Sequence, residues 1–484
     1  MPLQKTSPAI HRSSLPNHRT KQAILVAALS LFAGAALMDG ILRMHRSAHL
    51  MSAKRKTAPN SLAMTSAQAD KDNAEFELKR KNTEKTEECV PVRIRQDGAI
   101  GISYLNCSRQ AYDQDGEAVT ITDDFRVPSE LARRYNFWRR IYSLWSKDHY
   151  VLHLSEYPEV VIAIFDASKI SALPVAKDKK IKKFAKVERD NYRKLFLAMH
   201  QNKENEERFT PAMRRLAENM VHINNKDKYL VAAQSLRLQR GQRDFIASGL
   251  AVAPKYLSSI EAEFRRQGVP VEITRLAFVE SSFNLKAQSK VGASGVYQIM
   301  PATGHQYLRI FDGVDERNDP IKASRAAAKL LRLNYNLTGA WPLAITAYNH
   351  GVGGIRRATQ AVDSHDIADL IDKYHGNQFG FASKNFYSSF LGVLATLKDA
   401  DRLFPEVPRV QPLAFSTIKL SKPISVREIC RKNTVSLAQV AQLNPDISPR
   451  VIRSESNLPT GFVIKIPVKT NITSRTFASR STPR

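Results

Sequence analysis

Glu280 stands at the end of an apolar segment, Leu276-Ala-Phe-Val-Glu-Ser-Ser-Phe-Asn284, just ahead of the glycine-punctuated stretch Gly292-Ala-Ser-Gly-Val-Tyr-Gln-Ile-Met-Pro-Ala-Thr303. A carboxyl group backed by Leu276, Phe278 and Val279 is poorly solvated, and desolvation disfavours its charged form. Such an acid stays protonated near neutral pH and can give its proton to a leaving oxygen. Further on, Trp341-Pro-Leu-Ala-Ile-Thr-Ala-Tyr-Asn-His-Gly-Val-Gly-Gly354 ends an apolar helical run in Tyr348, Asn349 and a glycine cluster. Glycines allow sharp turns and close approach of a ligand. Tyr348 and Asn349 offer a hydroxyl and an amide at that turn. Phe381-Ala-Ser-Lys-Asn-Phe-Tyr387 opens another helical segment. A glycosidase ordinarily needs two carboxylates. These segments hold no partner for Glu280: Glu272 lies about two helical turns earlier, and Asp315 and Asp319 belong to a polar loop. His305 and His350 are lone histidines and read as incidental polar residues.

In order and spacing, these segments resemble the catalytic domain of the lytic transglycosylases of the goose-type lysozyme superfamily. The matching residues are Glu280-Ser281, Ser289, Gly292-Ala293-x-Gly295, Gln298-x-Met300-Pro301, Ala347-Tyr348-Asn349-x-Gly351 and Tyr387, within residues 236–400. The stretch from Leu236 to Phe264 resembles the branch related to membrane-bound transglycosylase D. The resemblance implies a lysozyme-like helical domain that cuts the β-1,4 bond between N-acetylmuramic acid and N-acetylglucosamine in peptidoglycan glycan strands. It implies that no water is consumed, that a 1,6-anhydro ring forms, and that neither cofactor nor metal takes part. Glu280 would be the single acid and base. Ser289 would hydrogen-bond near the acid or the acetamido group, and Gln298 and Met300 would line sugar subsites. Tyr348 and Asn349 would hold the muramic acid, and Tyr387 would orient Glu280 through its hydroxyl. Two other readings stand beside this one. A lysozyme-like muramidase would need a second carboxylate to place a water. A non-catalytic peptidoglycan-binding protein would not need the intact set of site residues.

The chain has 484 residues and a net charge of +27, long enough for about three domains and basic enough to imply a polyanionic partner. No zinc-finger spacing, RNA-recognition signature or helix-turn-helix stands out, so nucleic acid is not the expected partner. Lysines are densest from Lys177 to Lys186, a run expected to form a solvated face. Residues 23–42 are almost entirely apolar and follow the basic segment 1–22. They read as a signal peptide or signal anchor, whose apolar core, Ala23 to Met38, is somewhat short of the ~20 residues of a spanning helix. The expected location is the bacterial cell envelope, in the periplasm, with the inner membrane as partner if this segment is not cleaved. The three cysteines are Cys89, Cys107 and Cys430. Cys89 and Cys107 flank a hairpin pattern centred on Asp97-Gly98 and form a disulfide candidate in an oxidising compartment. Cys430 reads as a buried free thiol, and no metal-ligand spacing is present.

The fold class expected is multidomain: a mainly α-helical lysozyme-like catalytic domain at 236–405, preceded by a small α+β module at 85–170 and a helical connector at 171–235. A flexible tether at 43–84 leads into it. Apolar spacing of i, i+3, i+4 makes 185–405 nearly all helical. Trp138 and Trp145 sit on a helix expected between Leu131 and Ser146, as core residues rather than a sugar-stacking surface. Glu316-Arg-Asn-Asp-Pro320 opens a further helix, with Asp319 as its cap and a bracing role beneath the cleft. Residues 413–467 resemble a small βααβ LysM module, a fold that binds N-acetylglucosamine-containing glycans. Asn444-Pro445 and Gly461-x-x-x-Lys465-Ile-Pro467 match, while Lys422-Pro-Ile-Ser replaces the usual Gly-Asp-Thr-Leu opening. The tail 468–484 is basic and expected to be disordered.

Overall fold

The structure is a computed structural model that describes residues 90–106 and 119–468. The apolar segment 23–42, the tether 43–84, Cys89, Cys107 and the tail beyond residue 468 lie outside the described residues. Among the described residues, no helix is long and apolar enough to cross a membrane.

The amino-terminal part is built on a five-stranded antiparallel sheet. Strands β1 (Val90–Asp97) and β2 (Ile100–Asn106) form the hairpin expected at Asp97-Gly98, with Val90 opposite Asn106 and Asp97 opposite Ile100. Strands β3 (His149–Leu154) and β4 (Val161–Asp166) follow helix α1 (Ala132–Ser143). The fifth strand, β5 (Leu236–Arg240), gives the order β1-β2-β4-β3-β5. β5 departs from the all-helical expectation for 185–405. The segment Leu-Arg-Leu-Gln-Arg alternates with period two, and the open edge of β3 supplies the ladder from Tyr150–Arg240 to Leu154–Leu236. No local signal could supply that edge.

Both faces of the sheet are buried, and the two faces feed different cores. Tyr150, Leu152 and Leu154 face one core with Phe165 and with Ile181, Phe196 and Met199 of helix α2 (Pro174–Gln201). Residues 171–235, expected as a connector, instead cover this face; Leu216 and Tyr229 belong to the same core. The lysines of the 177–186 run ride on α2 around its buried stripe of Ile181 and Ala185. On the opposite face, Val151, Val161 and Ile164 pack with Trp138 and Trp145 into the core of the helical domain. Both tryptophans are buried, as their core reading required.

The helical domain comprises α3 (Pro254–Arg266), α4 (Leu276–Ser281), α5 (Pro320–Thr338), α6 (Trp341–His350), α7 (Val352–Val362) and α8 (Phe381–Lys398). Asp319 caps α5 by accepting from the Ile321 and Lys322 amides at 2.9 and 3.2 Å, with Pro320 in the first turn. That arrangement satisfies two otherwise orphaned donors. Helix α8 is buried along nearly its whole length, and its buried residues include the polar Asn385, Ser388 and Ser389. Helix α1 lies along it: Trp138 Nε1 donates to Asn385 Oδ1 at 3.1 Å, Tyr142 donates to Ser389 Oγ at 3.3 Å, and Arg139 pairs with Asp399 at 2.9 Å.

The carboxy-terminal unit pairs β6 (Phe415–Lys419) with β7 (Val463–Pro467) around α9 (Val426–Asn433) and α10 (Leu437–Leu443). A short helix at Pro449–Arg453 and a two-residue ladder between Ile424–Ser425 and Asn457–Leu458 are added to this frame. Ser436 and Gln439 make a reciprocal capping box on α10. Cys430 is a buried free thiol in this unit's core.

Candidate active site

Every residue of α4 is buried, because the segment Leu-Ala-Phe-Val faces the common core on all sides. The helix stops where Ser282 and Phe283 take up left-handed backbone, with φ of 51° and 58°. Ser282 N then bonds Phe278 O at 2.8 Å and Phe283 N bonds Ala277 O at 3.1 Å, closing the helix end. Glu280 is thereby fixed one residue short of the terminus, with only 8% of its surface exposed. Burial pushes its carboxyl from 4.5 up to about 8, and burial is the sole cause. No hydrogen bond or ion pair to this carboxyl is present among the described residues. Ser281 next to it is a fastener: its Oγ donates to Ala277 O at 3.1 Å and to Val296 O at 2.9 Å.

The turn 287–300 wraps over this helix end. Ser289 Oγ accepts from the Ala293 amide at 2.9 Å, and the two residues also share a backbone bond of 2.9 Å. Ser289 therefore shapes the turn and makes no bond to Glu280. Gln298 has a left-handed backbone, φ 45°, and its amide nitrogen donates to Ala287 O at 3.1 Å and Gly295 O at 2.9 Å. Among the described residues its Oε1 carries no hydrogen bond, which leaves an acceptor for a ligand. Met300 is half-buried and precedes the helix Pro301–Tyr307. Gly295 has φ 75°, and a Cβ there would stand 1.8 Å from Arg317 O, so only glycine fits. Arg317 completes the contact by donating to Gly292 O at 2.7 Å and Ile299 O at 3.0 Å, while Asp315 holds its guanidinium. Ser294 Oγ donates to Asn318 Oδ1 at 2.7 Å. The polar loop thus grips the turn directly, and Arg317, which the sequence reading did not single out, is its main tie.

On the other side of Glu280, α6 ends at Gly351, whose φ of 86° lets the chain reverse into α7. Tyr348 donates its hydroxyl to Tyr297 O at 2.9 Å. Burial raises the Tyr348 hydroxyl well above its ordinary value, and the Glu280 charge adds to the effect. Asn349 follows it, half-buried, at the helix end. His350, also half-buried, bonds Ser383 Oγ at 2.9 Å, and burial lowers its imidazole from the usual range.

Two further phenols border the region. Tyr387 is buried in α8 and stacks on Phe390 with ring centroids 6.3 Å apart. No hydrogen bond from Tyr387 to Glu280 is present among the described residues. Burial raises its hydroxyl, followed by the Asp366 charge, and Glu280 is not among the causes. Tyr142 was missed by the sequence reading. It comes from α1 and is buried; desolvation raises its hydroxyl, the bond to Ser389 opposes that rise, and the Glu280 charge adds to it. Its signal in the sequence is only an aromatic residue on an amphipathic helix, which reads as core.

None of the three acids considered beside Glu280 serves it. Asp315 is bound by Arg317 and Asp319 by Lys465. Glu272 lies in the turn Val271–Arg275 ahead of α4. No carboxylate contributes to the Glu280 shift.

The chain aligns at 26% identity over 198 residues with the membrane-bound lytic murein transglycosylase D of Escherichia coli (strain K12), covering 40% of this chain and 43% of that protein. A tributyltin chloride resistance protein of Alteromonas sp. (strain M-1) is 36% identical over 110 residues, 22% of this chain and 53% of that one. Among solved structures, an inactive mutant of the lytic transglycosylase Slt of Pseudomonas aeruginosa aligns at 18% identity and a TM-score of 0.27, over 41% of this chain and 30% of that one. The chain spans less than half the length of the curated transglycosylase it matches. Glu280, Ser289, Gln298, Met300, Tyr348 and Asn349 all fall inside residues 258–371, the stretch that matches the family model of the Transglycosylase SLT domain.

Proposed function

We propose that the protein is a peptidoglycan lytic transglycosylase, with Glu280 as its only catalytic acid and base. The observation that carries this reading is an acid that, among the described residues, is buried without a partner or a neighbouring carboxylate and raised to about 8. At neutral pH Glu280 holds its proton and gives it to the β-1,4 oxygen between N-acetylmuramic acid and N-acetylglucosamine. The C1–O4 bond breaks, and the acetamido group of the muramic sugar stabilises the cationic centre. The Glu280 carboxylate then takes the proton of the C6 hydroxyl as O6 bonds to C1. A 1,6-anhydro end forms, the acid is regenerated and no water is consumed.

The remaining residues have supporting roles. Gln298 offers its free carbonyl oxygen to the sugar, and Met300 supplies an apolar wall. Tyr348 and Asn349 hold the muramic acid, and Ser289 keeps the turn in shape. Tyr142 stands near the acid, and Tyr387 packs in the helix behind it. A hydrolase would need a water held by a second carboxylate, and none of the described residues offers one beside Glu280. The enzyme acts in the periplasm on glycan strands, with residues 23–42 directing export.

The test is mass spectrometry of muropeptides released from purified peptidoglycan by the full chain and by Glu280→Gln. Anhydro-muramic ends that vanish in the variant support the proposal. Reducing ends would mean hydrolysis. Binding with no release would mean a wall-binding protein.

A further inference from the structure

The carboxy-terminal unit does not hang from the helical domain; it is locked to it through buried charges. Lys465 of β7 pairs with Asp319, and both side chains are almost wholly buried. The same ammonium donates to Leu443 O at 3.0 Å. Asn444 clamps the Lys465 backbone from both sides, each bond 2.8 Å. In the reverse direction, Lys322 of α5 reaches Asp446 at 2.7 Å, Glu316 at 3.1 Å and Val463 O at 3.0 Å, and its ammonium lies 4.1 Å from the centre of the Phe462 ring. The backbones also join. Asp315 N donates to Asp446 O and Ser448 N to Gly313 O, both at 2.8 Å. Val314 is buried in the core of the carboxy-terminal unit.

The segment so gripped, residues 313–319, is the one that holds the active-site turn. Arg317 and Asn318 bind Gly292, Ser294 and Ile299, and Ser281 ties the same turn to the helix end that carries Glu280. Buried ion pairs add little net stability, but a shift that separates one strands a buried charge at high cost. From this continuous set of contacts we infer that the carboxy-terminal unit is a positioning element of the active site, with Lys465 and Lys322 setting turn 292–300 through the loop 313–319. In this role Lys465, one of the residues that resemble a glycan-binding module, faces the helical domain, and Asn444 holds its backbone in place.

The catalytic part of the test rests on the transglycosylase reading; the structural part does not. In the full chain, Lys465→Met leaves Asp319 buried and unpaired. The double variant Asp319→Asn, Lys465→Met removes both charges and keeps an Asn able to cap α5. Hydrogen exchange at Ser294, Gly295 and Ile299 is expected to rise about tenfold in Lys465→Met, the size of an ordinary coupling between sites. kcat for glycan cleavage should fall by a similar factor with KM within about twofold. The double variant should recover most of both. Exchange that rises only within residues 413–468, or uniformly across the chain, overturns the inference, as does an unchanged kcat in Lys465→Met. A wild-type chain that releases no anhydro products defeats the transglycosylase reading alone, and the exchange result still decides the inference.

Discussion

Glu280 and the pair Asp319 and Asp446 are all buried carboxyls, yet the fold treats them in opposite ways. Asp319 receives two backbone amides and Lys465, and Asp446 receives Lys322. Glu280 receives nothing among the described residues, and burial alone raises it to about 8. Where a charge is compensated, it fixes how two parts of the chain meet. Where it is left uncompensated, burial keeps the group protonated, so that it can serve as a proton donor. Even inside the paired cluster the balance is incomplete: burial and the Asp319 charge raise the Asp446 carboxyl, and Lys322 and Lys465 oppose the rise.

The largest effect expected is from Glu280→Gln, which should lower cleavage by about a thousandfold or more, within the usual contribution of an acid–base group, while glycan binding persists. Retained cleavage would place the chemistry elsewhere. The same substitution should stabilise the fold at neutral pH. Glu280 binds its proton more tightly folded than unfolded, so raising pH from about 4.5 to about 8 costs stability. That cost is roughly 1.4 kcal/mol for each unit. Melting temperature should therefore fall across that window in the wild type and fall less in Glu280→Gln. A parallel pair of curves would refute the shift. Removing one partner from the compensated cluster has the opposite sign: Lys465→Met should destabilise by about 3–5 kcal/mol, read from denaturant unfolding.

Activity should decline as pH rises through about 8, because the proton donor is lost. A limb near 4.5 instead would mean a solvated acid. The smallest effects belong to the phenols. Tyr348→Phe loses one bond to Tyr297 O and Tyr142→Phe one bond to Ser389, each worth about 1 kcal/mol. Both remove a hydroxyl near Glu280, so each should also move the alkaline limb of the pH profile. A limb unmoved in Tyr142→Phe would make that residue packing only.

Several of these features were readable from adjacent residues. An apolar run ending in Glu280 implies a desolvated acid wherever the run packs. Asp97-Gly98 implies a hairpin and Asp319-Pro320 a helix start, and both are present. What could not be read depends on partners far along the chain. β5 needs the edge of β3, about ninety residues earlier. Arg317 looked like part of a bracing loop, but its two carbonyl partners appear only once the turn 292–299 folds over it. The sheet, expected as part of a separate small module, shares a core with the helical domain because both its faces are apolar.

Local order along the chain therefore determined which groups could react: an acid with apolar neighbours, a glycine turn, a Tyr-Asn helix end. Those are consequences of sequence-adjacent solvation and backbone freedom. Only the tertiary structure decided that Glu280 lacks a partner among the described residues, that Tyr142 stands near it, and that Lys465 meets Asp319 across 146 residues. Pairing between distant charges is set by how helices and strands pack, and sequence separation carries no information about it.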